Sequence, residues 1–238
     1  PSWFSDTWGH GTHVAGIIAG SGERSSGLYT GVAPGASLIN VRVLEMDGSG
    51  QTSEVINGID WVLANKDTYN IRIMNLSIGH RMQEPAEVDP LVQAVERAWE
   101  EGIVVVVSAG NSGELDYNTI NAAPANDPFL ITVGAVDEKG TSRTQDDAIS
   151  NFSAFGTTVD GHFKPDIYAP GVDIISTLAN MSMWEYEYPE RKITTRTGGT
   201  DYEYFRASGT SMAAPHVTGQ AALLLQADSG LSVEELEG

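Results

Sequence analysis

The sequence predicts an α/β fold in which a mostly parallel central sheet is flanked by helices. Short β-rich runs alternate along the chain with segments of helical periodicity, and helices between buried strands imply right-handed crossovers and parallel pairing. The run Ile-Val-Val-Val-Val at 103–107 is typical of a strand buried on both faces. Residues 210–227 are apolar nearly all round, which is typical of a buried helix.

Three elements are predicted ahead of the Val-rich run. Residues 37–44 have the composition of a strand. Residues 52–66 form a helix with one apolar face, capped by Thr52 or Ser53. Residues 71–78 form the next strand.

Three further predictions complete the pattern. Asp89 and Pro90 open a second helix, as a cap and a first-turn proline do, and this helix stops at Gly102. Residues 130–136 repeat the character of a buried strand. The acidic, aromatic stretch 181–205 has no clear period, so we expect a long loop or a hairpin.

Composition excludes several classes of protein. The 238 residues carry 13 basic and 32 acidic side chains, and the net charge of −19 would repel nucleic acid or an anionic membrane. No apolar run has the length of a membrane span, and no signal-peptide pattern opens at Pro1. The absence of Cys excludes disulfides and thiol catalysis. The acidity itself fits either a well-hydrated surface or adaptation to high salt.

Two histidines open the segment 9–16, at a predicted helix start. His10 and His13 could bind a metal if an acidic residue elsewhere supplied a third ligand. They could instead be one catalytic imidazole and one packed inside, or merely core and cap groups. The segment alone does not decide among these interpretations.

Ser211 lies at the start of the buried helix, in the segment 208–216. There, free N–H groups and the helix dipole favour developing negative charge. Thr210 or Ser211 could equally be an ordinary helix cap. His216 is five residues beyond Ser211, too far round the helix to reach its hydroxyl, so we expect a buried structural histidine.

Asn111 follows Ala109 and Gly110 at the end of the Val-rich strand. Taken alone it is a turn residue, but beside a serine nucleophile its amide would be an oxyanion donor. Two other polar, Gly-rich segments, 47–50 and 77–79, also end predicted strands. Ligands of parallel sheets bind beyond the carboxyl ends of the strands, so this edge is the expected site.

Together the histidine block, the Ala-Gly-Asn turn and the Gly-Thr-Ser-Met-Ala block resemble the subtilisin-like serine proteases (subtilases, peptidase S8 family). The resemblance covers essentially the whole chain and includes the segments 31–34, 75–79 and 164–171. The segments 89–92 and 163–166 are most similar to the bacterial AprX-type branch. The resemblance implies a three-layer subtilisin-like α/β fold and a single catalytic domain spanning 1–238.

The resemblance also implies the chemistry of a serine endopeptidase that works through an acyl-enzyme intermediate. His10 matches the general base and Ser211 the nucleophile. Asn111 matches the oxyanion-hole side chain, assisted by the Ser211 N–H. His13 and His216 match structural positions.

Two segments match the backbone edges that bind substrate as an added β-strand. The matching residues are Gly48, Ser49 and Gly50, and Ser77, Ile78 and Gly79. Ala109, Gly110 and Gly79 leave open the pocket that binds the substrate residue before the scissile bond. We therefore expect this pocket to take a large apolar side chain.

The third catalytic residue of the family is an aspartate on a strand upstream of the histidine block. Only nine residues precede His10, so we expect an incomplete domain, truncated at both ends and, alone, weakly active or inactive. Asp6 is not assigned this role. The alternative is a catalytically inactive, protease-like module that binds peptides or proteins.

No cofactor is expected. Calcium is not supported, because residues 21–27 lack the asparagine-rich pattern of the family's calcium loop. The expected partners are a protein or peptide substrate and, as a further candidate, a propeptide, without nucleic acid or a membrane span. The source would be bacterial or archaeal, with secretion favoured over the cytoplasm.

Overall fold

The computed structural model describes residues 6–82, 85–113, 119–195 and 203–237. Its α-helices are α1 (His10–Ala19), α2 (Thr52–Tyr69), α3 (Pro90–Glu100), α4 (Met183–Glu187), α5 (Thr210–Ala227) and α6 (Val233–Glu237). Short 3₁₀ turns cover Glu23–Ser25, Ala86–Val88 and Pro189–Arg191. None of the described helices is both long and apolar enough to cross a bilayer.

The strands are β1 (Ile73–Leu76), β2 (His80–Arg81), β3 (Val104–Ser108), β4 (Thr119–Ile120), β5 (Ala122–Ala123), β6 (Ile131–Asp137), β7 (Ala148–Ile149), β8 (Gly156–Thr158), β9 (Phe163–Lys164), β10 (Ile167–Pro170), β11 (Ile174–Thr177), β12 (Lys192–Ile193) and β13 (Tyr204–Ala207). The central sheet has the order β1-β3-β6-β10, with all three pairings parallel. β7 pairs antiparallel with β6. The predicted parallel α/β sheet is confirmed.

Both faces of the central sheet are covered. Val104 to Val107 in β3 are all buried, and successive strand residues point to opposite faces. α5 contacts β1, β3, β6 and β10, whereas α3 packs against β3 and α2. Helix, sheet and helix therefore form the three predicted layers, and the buried helix at 210–227 is confirmed.

Residues 37–44 are not a strand, so this prediction is wrong. Val41 and Val43 pack against the core and against Gly58 of α2, while Leu38 and Ile39 are exposed. Within the described ranges, the backbone of 37–44 makes no hydrogen bond to a neighbouring strand. A β-prone composition does not make a strand without a partner for its N–H and C=O groups.

The caps of the two middle helices differ from each other. The position before α2 is Gln51, and no side chain caps the helix, so the predicted cap at Thr52 or Ser53 is wrong. The helix also continues to Tyr69. In α3 the predicted cap is confirmed, since Asp89 Oδ1 accepts the N–H groups of Leu91 and Val92.

The stretch 181–205 forms part of a hairpin, as one of the two predicted alternatives. β13 pairs antiparallel with both β11 and β12, and α4 lies on the connection. Residues 196–202 lie outside the described residues. We call residues 180–195 the strap. It is fixed to the chain before α1, because the N–H groups of Met183 and Trp184 donate to the carbonyls of Thr7 and Trp8 at 2.8 and 3.2 Å.

Lys164 is a buried cation held by oxygen atoms. Its side chain is 2% exposed, and Nζ donates to both carboxylate oxygens of Asp166 and to the carbonyls of Leu130 and Pro128, at 2.8–3.4 Å. Asp166 Oδ2 also accepts the Thr132 N–H at 2.8 Å. One ammonium group therefore joins the turn before β6 to the start of β10.

The substitution Lys164→Met is expected to lower the free energy of unfolding by about 3 kcal/mol, because it leaves a carboxylate and two carbonyls without their donor. Urea unfolding measures this loss. The control is Lys139→Met, which removes a half-exposed ion pair with Asp137 and should cost less than about 1 kcal/mol. Equal losses in the two variants would contradict the role of Lys164.

Glu96 on α3 lies beside a second acid, Asp127. Burial, with the charge and hydrogen bond of Asp127, raises the pKa of Glu96 to about 7; burial also raises the pKa of Asp127. Asp127 Oδ1 accepts the N–H groups of Phe129 and Leu130, while Oδ2 has no donor among the described residues. A protonated Glu96 would supply that donor.

The substitution Glu96→Gln is expected to stabilise the fold at pH 8. The folded pKa of about 7 lies above the ordinary value of 4.5, so the folded state binds more protons between these values and loses stability as pH rises. The gain from Gln should be full at pH 8 and shrink towards pH 4.5. Urea midpoints across this range measure it, with exposed Glu87→Gln as the control. A gain independent of pH would contradict this explanation.

Candidate active site

Asp6 places His10 at the first turn of α1. Its Oδ1 accepts the Gly9 N–H and its Oδ2 the Thr12 N–H, both at 2.8 Å, so one carboxylate caps the helix. Gly9 has φ 106°, and a Cβ there would lie 2.9 Å from Ser182 Oγ of the strap. The histidine block therefore needs glycine where the strap crosses it.

His10 is partly buried and neutral. Burial lowers its pKa, and the negative charge of Asp6 opposes this shift without cancelling it. Trp184 of the strap contacts the imidazole edge-on, with ring centroids 5.6 Å apart and planes at 85°. An uncharged imidazole can accept a proton, as a general base must.

The other two histidines of the predicted segments are structural. His13 is fully buried, which lowers its pKa to about 4, and its Nε2–H donates to the Phe205 carbonyl at 3.0 Å. His216 Nδ1–H donates to the Met212 carbonyl at 2.9 Å. Nε2 of His13 is therefore not available to a metal, and the described residues contain no cluster of three metal-binding side chains. The metal interpretation gains no support.

The backbone around Ser211 is opened by a proline. Pro215 lies inside α5 and lacks the N–H that would bind the Ser211 carbonyl one turn earlier. Ser77 Oγ donates to that carbonyl instead, at 3.0 Å, and Ser211 Oγ donates to the Ser77 carbonyl at 3.3 Å. This reciprocal pair ties the start of α5 to the end of β1. Ser211 and His10 are not hydrogen-bonded to each other.

Asn111 is held by its amide oxygen. Its Oδ1 accepts the N–H of Thr210 at 2.9 Å and the hydroxyl of Thr210 at 3.0 Å. Thr210 Oγ1 in turn accepts the Gly110 N–H at 3.1 Å. Nδ2 has no acceptor within the described ranges and lies 3.5 Å from a Cβ placed on Gly209, next to Ser211. The side chain is thus an oriented donor.

The three groups share one cavity of about 240 Å³. The residues that line it are His10, Asn111, Trp184, Tyr188, Arg191, Phe205, Ala207, Ser208, Gly209, Ser211 and Met212. A base, a hydroxyl and an amide donor facing one space are the components of nucleophilic acyl transfer.

The predicted substrate-binding residues lie outside this lining. Ser77 bonds Ser211, and Ala109 is buried with its N–H on the Val133 carbonyl. Gly110 is linked to the site by its N–H, which donates to Thr210 Oγ1. Ile78 packs against the main core cluster, and a Cβ on Gly79 would lie 2.6 Å from the Ala123 carbonyl.

The segment Gly48–Gly50 lies on the Trp8 side of the site. A Cβ on Gly48, which has φ 79°, would meet the Trp8 ring at 2.7 Å. Ser49 bonds the Asp47 carboxylate through both N–H and hydroxyl. A Cβ on Gly50 would meet Leu44 at 2.6 Å. The structure brings Ser77 to Ser211 and Gly110 to the adjacent Thr210, and it holds Gly48 against Trp8 in the segment that leads into α1.

Sequence reasoning missed the contribution of the strap. Trp184, Tyr188 and Arg191 line the cavity beside Ser211, although the stretch was predicted only as a loop or hairpin. The available signal was a group of aromatic residues followed by Arg191 and Lys192 in a chain that is acidic overall.

Known proteins resemble this chain throughout its length. The family profile described as Peptidase_S8, the subtilase family, matches residues 3–238. Serine protease AprX of Bacillus subtilis (strain 168) is 45% identical over 237 residues, which cover 98% of this chain and 52% of that protein. Subtilisin NAT of Bacillus subtilis subsp. natto is 39% identical over 93% of this chain and 47% of its own length. The chain thus spans about half the length of these relatives.

Solved structures agree with the sequence matches. A cold-adapted subtilisin-like serine proteinase is 36% identical with a TM-score of 0.68, over 98% of this chain and 67% of that chain. Sphericase is 27% identical with a TM-score of 0.76, over 98% and 68% of the two chains. The match of the family profile to nearly every residue, together with these folds, shows that the chain belongs to the subtilase family.

Proposed function

We propose that the chain forms the catalytic core of a serine endopeptidase, in which Ser211 is the nucleophile, His10 the general base and Asn111 the oxyanion donor. The observation that carries the proposal is the single cavity shared by these three groups, with the Asn111 amide held by its oxygen and its Nδ2 without an acceptor among the described residues. The names of the relatives, a serine protease and a subtilisin, support it.

The first chemical step is acylation. Ser211 Oγ attacks the peptide carbonyl carbon while its proton passes to His10, giving a tetrahedral intermediate. The C–N bond then breaks as the same proton is transferred from His10 to the leaving amine. Water, activated by His10, adds to the resulting ester and releases the acid and the free serine.

The oxyanion of the intermediate would be held by Asn111 Nδ2 and the Ser211 N–H. Neither donor has a partner in the part of the chain that the structure describes. Thr210 uses only the oxygen of the amide, and Ser211 lies in the first turn of α5, where N–H groups lack helical partners. Donors fixed before the reaction cost no reorganisation during it.

The Ser211 hydroxyl must leave the Ser77 carbonyl before it can donate to His10. The 3.3 Å bond to that carbonyl is long, so rotation of the side chain costs little. An orienting acid for His10 is not assigned to Asp6, because both oxygens of Asp6 already cap α1. We propose that a carboxylate outside the described residues orients the imidazole.

The substrate and the setting follow from the same assignment. We propose protein or peptide substrates bound as an added strand along 48–50 and 77–79, with a large apolar side chain before the scissile bond. We also propose that the protein carries a propeptide and that a bacterial cell secretes it. No metal takes part in the chemistry as proposed.

A fluorophosphonate probe is expected to label the full-length gene product at Ser211 and to block its peptidase activity. Ser211→Ala should abolish both, since only an activated serine reacts. The matched control is Ser229→Ala, an exposed serine just after α5 and outside the cavity lining, which should still label. Peptide mapping by mass spectrometry identifies the modified residue. A folded protein that binds peptides but never labels would instead be the inactive binding module.

Asn111→Ala is expected to lower kcat by about 10²–10³ with little change in KM, a magnitude carried over from the corresponding asparagine of subtilisin. The loss falls on kcat because the amide contacts the oxygen only once charge has developed there. Steady-state kinetics on a chromogenic peptide measure it. Asn65→Ala on the exposed face of α2 is the control. A loss confined to KM would contradict the oxyanion role.

A further inference from the structure

The strap places one cation in the wall of the active-site cavity. Arg191 lines the cavity together with Tyr188 and Trp184, and the guanidinium carbon lies 5.1 Å from the centroid of the Tyr188 ring. The described lining residues include no aspartate or glutamate. In a chain of net charge −19, the lining of this cavity therefore has a positive charge.

Arg191 is held in place but its charge is not neutralised. Its described ion pair is with Glu190, at 3.7 Å, and both side chains are at least half exposed. Such a pair is weak and screened by solvent. The guanidinium lies over the Tyr188 ring, and an arginine so placed can bind a carboxylate through its N–H groups.

The strap itself is anchored firmly enough to position this cation. Its start is bonded to Thr7 and Trp8, and its end pairs with β13 through Lys192 and Ile193. Between these anchors Trp184 packs against Phe205 and His10, with ring centroids 5.1 and 5.6 Å apart. Arg191 directly precedes the paired residues, so its backbone is fixed relative to β13.

The cavity lies on the leaving-group side of Ser211. None of the residues of 48–50 or 77–79, the edges assigned to the acyl half of the substrate, lines it. His10, which must protonate the leaving amine, does. The cavity has a volume of about 240 Å³, below the roughly 300–1,000 Å³ typical of small-molecule sites, so it suits individual side chains of an extended peptide.

We propose that Arg191 is a specificity-determining residue that binds a carboxylate on the C-terminal side of the scissile bond. The favoured substrates are then peptides with Asp or Glu in the first two positions after the cut. This inference rests on the proposed peptidase function and names the substrate class of that same site. A carboxylate could also come from the free C-terminus of a short substrate, and the test separates the two sources.

The test uses the full-length gene product and quenched fluorescent peptides with one fixed acyl half. Each of the first two positions after the cut is varied in turn among Glu, Gln and Lys, in one peptide set with an amidated C-terminus and in a matched set with a free C-terminus. We expect kcat/KM for Glu to exceed that for Lys by about fivefold at one position, as a partly screened ion pair gives. High salt should reduce this ratio.

Arg191→Gln is expected to bring the Glu:Lys ratio close to one, and Arg191→Lys to retain part of it, because the charge stays while the ring contact is lost. The matched control is Arg97→Gln. This substitution removes an arginine of α3 that is about as exposed as Arg191 and is paired with Asp60 of α2, and it should leave the ratio unchanged. Thermal unfolding verifies that every variant is folded.

The outcomes separate the two proposals. Cleavage with no preference for Glu, or a preference that survives Arg191→Gln, overturns the role of Arg191 and leaves the peptidase standing. A preference seen only with a free C-terminus a few residues from the cut, and lost on amidation, overturns the side-chain carboxylate. Failure to cleave any peptide, together with failure of Ser211 to label, overturns the peptidase and the subsite with it.

Discussion

The hydrogen bonds at the start of α5 are the constraint on which the site depends. Thr210 donates two hydrogen bonds to Asn111 at the end of β3, and Ser211 exchanges two with Ser77 at the end of β1. These bonds fix the helix N-terminus against the carboxyl edge of the sheet. They also occupy the Asn111 oxygen and the Ser211 carbonyl, so the groups of these two residues that lack a partner in the described ranges are donors. A site for negative charge follows from this distribution of partners.

Burial affects the two histidines of α1 in the same way, but their surroundings give them different roles. It lowers the pKa of both, so each is neutral near pH 7. His13 then donates its one N–H to the Phe205 carbonyl and becomes part of the core. His10 lines the cavity instead, where a neutral ring can take a proton. The two histidines are three residues apart on α1, yet the ring of His13 is buried in the core and the ring of His10 lines the cavity. Helical periodicity alone does not distinguish these two placements.

Much of the fold was predictable because its signals are local. A run of valines, a proline after an aspartate and an apolar stretch at 210–227 each determine an element through contacts within a few residues, and the structure has all three. His10, Asn111 and Ser211 became candidates because each lies beside a predicted element boundary, and the resemblance to the family supplied their predicted roles. The lining of the cavity by Arg191 depends on how the strap folds back to Thr7 and Trp8, a contact over about 180 residues that no local pattern records.

The strand prediction at 37–44 was wrong for a related reason: strand formation depends on contacts that are distant in sequence. Val41 and Val43 pack inwards on Gly58, while Arg42 between them is exposed. Pairing, however, requires a second backbone at the right distance, and the described residues offer none. An apolar alternation therefore determines which side chains are buried, whereas strand formation depends on a partner that the segment's own sequence does not contain. The same reasoning explains why β12 could not be predicted: its two residues are a strand only because β13 lies beside them.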